Sequence, residues 1–167
     1  GNVRGQQVDL TVRADEVSTA YVLAVPQGAT APTPEQVKAG VAYADVTVPT
    51  ETGRFFSDSF LVYEPIAGAT YDSVTAEWSA VEATFELSKL DEETPYTVYF
   101  VLEDRPNYIT PEDALNLQES VNSIDVTTLD ITPPSFDSAE LQDMEGDQVT
   151  INVTMSEGGT AYAVAVP

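Results

Sequence analysis

Residues 5–26 read GQQVDLTVRADEVSTAYVLAVP, and residues 146–167 read GDQVTINVTMSEGGTAYAVAVP. The two stretches align without a gap 141 positions apart, and 11 of the 22 pairs are identical. Both end in the same TAY and AVP elements. Internal duplication of this kind marks a repeat architecture. The expectation is one full unit followed by the opening of the next, in a chain cut or processed from something longer. Within the first copy, Val8, Leu10 and Val12 alternate with Asp9, Thr11 and Arg13, which is the period of a half-buried strand. Residues 19–25 form a second strand with little alternation, so both of its faces are apolar.

Outward from this stretch the strand signal continues. Residues 41–48 and 54–63 read as extended, the latter carrying Phe55, Phe56 and Phe60. Val81, Ala83, Phe85 and Leu87 alternate with polar residues, residues 96–103 are strongly strand-like, and residues 122–129 place Ile124, Val126 and Thr128 on one side. Two short helices interrupt the pattern. Thr33-Pro34-Glu35-Gln36 supplies an N-cap, a proline at the first helical position and a capping-box Gln, with Gly40 as the stop. Thr110-Pro111-Glu112-Asp113 opens a second helix in the same way, running to about Glu119. The run Asp130-Ile-Thr-Pro-Pro134 is the linker, because paired prolines neither extend a helix nor sit in a central strand. Residues 1–131 are thus one unit. Residues 132–167 are a linker plus the first strands of the next, incomplete or donated to a neighbouring subunit, with Phe136 to Leu141 as a first strand.

About seven short strands with loops and minor helices predict an all-β fold, an antiparallel Greek-key β-sandwich with two inserted helices. The stretch Leu90-Asp-Glu-Glu-Thr94-Pro-Tyr96-Thr-Val98 resembles a segment of fibronectin type III domains. The resemblance implies that Tyr96 is a corner tyrosine bonded to upstream backbone and that Leu90 packs beneath it. It implies nothing about activity.

Composition narrows the function classes. Lys and Arg total 6 against 28 Asp and Glu, a formal net charge of −22 over 167 residues. Such a surface repels phosphate, so nucleic acid is excluded as a partner, and anionic lipid is disfavoured. No stretch has the apolar length for membrane insertion. Histidine and cysteine are absent, which removes the commonest acid–base group, disulfides and thiolate chemistry. An apolar fraction of 43% still supports a packed core. No nucleophile motif is present, and an enzyme is not expected.

Four candidate features remain. Tyr99 and Val101 point away from the core-facing set of their strand, and Ala20 and Val22 lie on a neighbouring two-faced strand. With Phe136 and Leu141 these are expected interface positions, contacting other copies of the chain or adjacent repeats. No cofactor is required, but Asp15, Glu16, Glu103, Asp104 and Asp130 are the carboxylates that would collect Ca²⁺ near turns and linkers. Asn152-Val153-Thr154 is a glycosylation sequon on an outward position. Together these features lead to a structural repeat of an extracellular or cell-surface filament or adhesin stalk. The alternative is a carbohydrate- or protein-binding module of a secreted protein.

Overall fold

The computed structural model describes residues 2–49, 57–73, 77–104 and 115–166. The chain divides into two compact units, Gly1–Asp130 and Ile131–Pro167. It is mostly β-structure, and every strand pair is antiparallel.

In the first unit, β1 (Asn2–Arg4), β2 (Gln7–Ala14) and β3 (Ser18–Pro26) are followed by the helix α1 (Pro34–Ala39). Then come β4 (Ser57–Val62), the two-residue strands β5 (Glu64–Pro65), β6 (Tyr71–Asp72) and β7 (Glu77–Trp78), and β8 (Val81–Ser88). The long β9 (Pro95–Asp104) and β10 (Asn122–Thr127) complete it. Two four-stranded sheets result, in the orders β1-β2-β8-β5 and β10-β9-β3-β4, with β6 and β7 pairing separately.

The alternation of β2 determines which side is buried. Val8, Leu10 and Val12 are buried beside Leu87, Phe85 and Ala83 of β8, their cross-strand partners. Thr11 and Thr84 meet hydroxyl to hydroxyl at 2.8 Å on the other side, next to an Arg13–Glu82 ion pair at 3.0 Å. In the second sheet Ala20, Val22 and Ala24 lie beside Leu102, Phe100 and Val98. Phe60 of β4, opposite Ala20, stacks on Phe85 of β8 with ring centroids 4.4 Å apart, so this face meets the first sheet. Each fully buried Val or Leu here contributes roughly 1.5–3 kcal/mol relative to exposure.

The reverse face of the second sheet carries Tyr21, Leu23, Tyr99, Val101 and Glu103. The chain covers it with its own residues. Helix α1 packs on β3 and β9, and Val37, Tyr43, Val46 and Val48 are all buried. The helix begins where its sequence dictates. The Thr33 hydroxyl accepts from the Gln36 N–H, the Gln36 side chain accepts from the Thr33 N–H at 2.8 Å, and Pro34 fills the first turn. It ends at Gly40, whose φ of 62° lets its N–H reach the Gln36 and Val37 carbonyls. The Glu35 carboxyl is held below the usual range by a backbone hydrogen bond, then by the Thr33 hydroxyl.

Several sequence expectations change here. Residues 41–48 are not a strand: Tyr43 and Val46 form an isolated bridge around a tight turn with Ala44 at φ 46°. Tyr43, Val46 and Val48 bury their side chains in the core cluster without joining a ladder. The expected helix from Thr110 falls partly outside the described residues. From Leu115 to Glu119 the backbone is not helical, and Leu117 bridges to Glu103 along β9.

The second unit is a hairpin of β11 (Phe136–Glu145) and β12 (Gln148–Met155), closed at its open end by the Ser156 N–H donating to the Ser135 carbonyl at 2.9 Å. Residues 157–166 have no regular strand or helix.

Candidate functional site

The second strand of the hairpin and its turn repeat the start of the first unit position for position. β12 begins and ends at the positions equivalent to the ends of β2. In the first unit Arg4 pairs with Gln7, Val3 with Val8 and Asn2 with Asp9. In the second, Glu145 pairs with Gln148, Met144 with Val149 and Asp143 with Thr150, which is the same register shifted by the sequence offset. Gly146, at φ 61°, occupies the turn position of Gly5.

Two irregularities in β11 determine its chemistry. The register shifts between Phe136 and Ser138 and again between Leu141 and Asp143, so Asp137 and Gln142 are extra residues on that strand. Each bulge resets the alternation. Phe136, Ala139, Leu141 and Met144, spaced three, two and three apart, therefore stand opposite Met155, Val153, Ile151 and Val149. Opposed residues share a face, so all eight apolar side chains lie on one side of the hairpin. Ser138, Glu140, Asp143, Thr150, Asn152 and Thr154 lie on the other.

This apolar side is open. Phe136 is 61% exposed, Leu141 66% and Met144 71%. Val149, Ile151 and Val153 are also exposed, whereas their equivalents Val8, Leu10 and Val12 are buried. The second edge of β2 pairs with β8, but β12 has β11 as its only strand partner among the described residues. Tyr162, Val164 and Val166, equivalent to Tyr21, Leu23 and Val25 of β3, are exposed as well. Phe136 and Leu141, expected from the sequence as interface positions, are exposed on this side. Met144 and Ala139 share it, which the bulges hide from a period-2 reading.

The other expected interface positions lie elsewhere. Ala20 and Val22 face the first sheet and Tyr99 and Val101 face the opposite way, so the four do not form one surface. Ala20, Val22 and Val101 are fully buried, and Tyr99 is packed against the core. The side expected to be free for lateral contact is occupied by α1 and residues 41–48.

Glu103 does not belong to an acidic cluster. It is buried on the outer face of β9, accepts from the Tyr21 hydroxyl at 2.8 Å and pairs with Lys38 of α1. The ammonium of Lys38 also lies 5.5 Å from the centre of the Tyr21 ring. This contact pins the helix to the sheet, and sequence reasoning missed it. Asp15, Glu16 and Asp104 line an open cleft of about 400 Å³ with Glu119, Asn116 and Gln118. Asp130 ends the first unit. Asp15, Glu16 and Asp104 thus share one cleft while Glu103 and Asp130 lie outside it, and among the described residues no group of three acidic side chains is placed to hold a metal. Asn152 is exposed on the polar side of β12, opposite Glu140.

At the corner before β9, the buried Tyr96 hydroxyl accepts from the Asp91 N–H at 3.1 Å, and Leu90 is buried beside the same turn. The buried Thr128 hydroxyl donates to the Asp91 carbonyl at 2.6 Å and accepts from the Thr94 N–H at 2.9 Å. These bonds tie the chain after β10 to the turn before β9. Two non-glycine residues of that turn, Lys89 and Glu93, take left-handed φ values of 57° and 49°. No helix among the described residues is long and apolar enough to cross a membrane. The chain matches no protein-family model, no curated protein and no solved structure.

Proposed function

We propose that this chain is a structural repeat module of an extracellular or cell-surface filament or adhesin stalk, acting by end-to-end association of β-sandwiches. The single observation that carries the reading is the hairpin β11–β12, in which β12 has the strand limits of β2 and the turn-proximal pairs have the register of β1–β2. Its apolar side is open where the first copy is covered, which is the state of a unit whose remaining strands are supplied by further chain. The sheet orders β1-β2-β8-β5 and β10-β9-β3-β4, with β4 stacking on β8, support a Greek-key sandwich of the fibronectin type III or immunoglobulin type. The bond from the Tyr96 hydroxyl to the Asp91 backbone supports it further. A net charge of −22 suits a solvated, self-repelling surface between repeats. Lateral association, the other mode expected from the sequence, uses surfaces other than the outer side of the second sheet, which α1 occupies.

The test is to append a second copy of residues 27–130 after Pro167, where the alignment places them. The extended chain should fold as two units. Amide exchange in β12 should slow to the rates of β2, and small-angle scattering should show a particle lengthened by one unit. Exchange in β12 that stays fast would refute the repeat reading.

A further inference from the structure

The first unit shows which kind of strand fits the free edge of β12. There the edge of β2 turned away from β1 pairs antiparallel with β8, with Gln7 opposite Ser88, Val8 opposite Leu87, Leu10 opposite Phe85 and Ala14 opposite Val81. β12 offers the same edge, with Val149, Ile151 and Val153 in place of Val8, Leu10 and Val12, and among the described residues no strand pairs with it there. We propose that β12 is a β-augmentation site that takes one extended segment, antiparallel and in a single register, with the apolar pattern of Val81, Ala83, Phe85 and Leu87. In a native array the segment is the equivalent of β8 in the continuation of the same repeat, and in the isolated chain the site accepts it in trans.

Three features favour this occupant over a bare apolar contact. Backbone pairing satisfies the unpaired groups of an edge strand while side chains on one face set the register. Leu87, Phe85 and Ala83 would fall beside Val149, Ile151 and Val153 and widen the apolar side into a three-stranded layer. The polar side of β12 carries Thr150, Asn152 and Thr154, none of them charged, so Glu82 and Glu86 of the incoming strand meet no like charge directly opposite on it.

The proposal rests on the repeat reading but fails separately from it. The full chain is titrated with a synthetic peptide of residues 79–90, and amide exchange is followed residue by residue. Exchange should slow by about tenfold or more across β12 and remain unchanged in β2. A peptide of the same composition with Phe85 and Leu87 moved one place along should not protect. Ile151→Lys, at a position exposed in the free chain, should abolish protection, and Ile151→Val should retain it. A nitroxide attached at position 82 of the peptide should broaden Thr154 most, since Glu82 stands opposite Arg13 in the first unit. Broadening greatest near Gln148, equal protection by the shifted peptide, or no protection at saturation would overturn the proposal. So would concentration-dependent protection of β12 without peptide, because the edge would then be taken by a second copy. If the extended chain folds and the peptide still fails, the repeat reading stands and augmentation in trans falls.

Discussion

Val153 holds on β12 the position that Val12 holds on β2, yet Val12 is 4% exposed and Val153 is 37% exposed. The same side chain in the same local register thus has different energetic weight in the two units. Val12→Asp places a charge in the packed layer and should destabilise the first unit by about 3 kcal/mol or more. Val153→Asp should shift that unit by no more than about 0.5 kcal/mol. Urea denaturation read through the amide signals of β2 and β9 measures both; equal effects would mean that the equivalence of the two hairpins is misassigned.

The corner before β9 supports a second comparison. Tyr96→Phe takes the hydroxyl acceptor from the Asp91 N–H and should cost about 1 kcal/mol. Thr128→Val removes a donor and an acceptor at once and should cost at least as much, about 2–3 kcal/mol. Because both act on the Asp91–Thr94 turn, the double variant should lose less than the sum. Additive losses would show that the two hydroxyls hold separate pieces of structure.

The alternating runs were the most legible part of this fold. Val8 to Val12 and Val81 to Leu87 each bury one side, so a period of two carries the answer. The repeat also located the second unit, because identical residues at a constant offset need no structural context. Residues 41–48 were misread because Tyr43, Val46 and Val48 are buried in the core cluster around a tight turn, and an apolar, β-branched composition does not tell such a segment from a strand. The apolar side of β11 was hidden by bulges at Asp137 and Gln142, which no periodic template contains. The Glu103–Lys38–Tyr21 contact joins residues far apart in the chain, so nothing local announced it.

Left-handed backbone positions give paired expectations of opposite sign. A Cβ at Gly40 would lie 2.9 Å from the Ser57 hydroxyl oxygen, at a φ of 62°. Gly40→Ala should therefore cost about 1–2 kcal/mol and loosen the end of α1. Glu93, at φ 49°, already bears that strain, so Glu93→Gly should be neutral or stabilising by up to about 1 kcal/mol. Thermal denaturation of both variants decides the matter, and a stabilising Gly40→Ala would contradict the close approach to Ser57.

Lys38→Met tests how the inserted helix is held. Glu103 keeps its bond from Tyr21 but loses the cation, leaving a buried carboxylate underpaired. Breaking a fully buried pair costs about 3–5 kcal/mol, and the partial exposure of Lys38 reduces this to about 2 kcal/mol. Glu103→Gln in the Lys38→Met background should restore most of the loss, since an amide still accepts from Tyr21 without burying charge. Failure of that rescue would show that Lys38 acts through its apolar stem.

Tyr43 should make stability fall at alkaline pH. Its ring is buried, its hydroxyl donates to the Thr30 carbonyl at 2.7 Å, and burial pushes its pKa above 10, with Tyr99 and Asp45 adding to the shift. In the unfolded chain the phenol ionises near pH 10. Above that pH the unfolded state binds fewer protons than the folded one, so the stability supplied by the neutral buried phenol is lost as pH rises through the folded pKa. Tyr43→Phe gives up the hydrogen bond and should be about 1 kcal/mol less stable at pH 8. Lacking the ionisable group, it should then lose less than the parent between pH 10 and 11.5, and the gap in urea midpoints should narrow. A gap that stays constant across that range would show that the Tyr43 hydroxyl titrates alike in the folded and unfolded states.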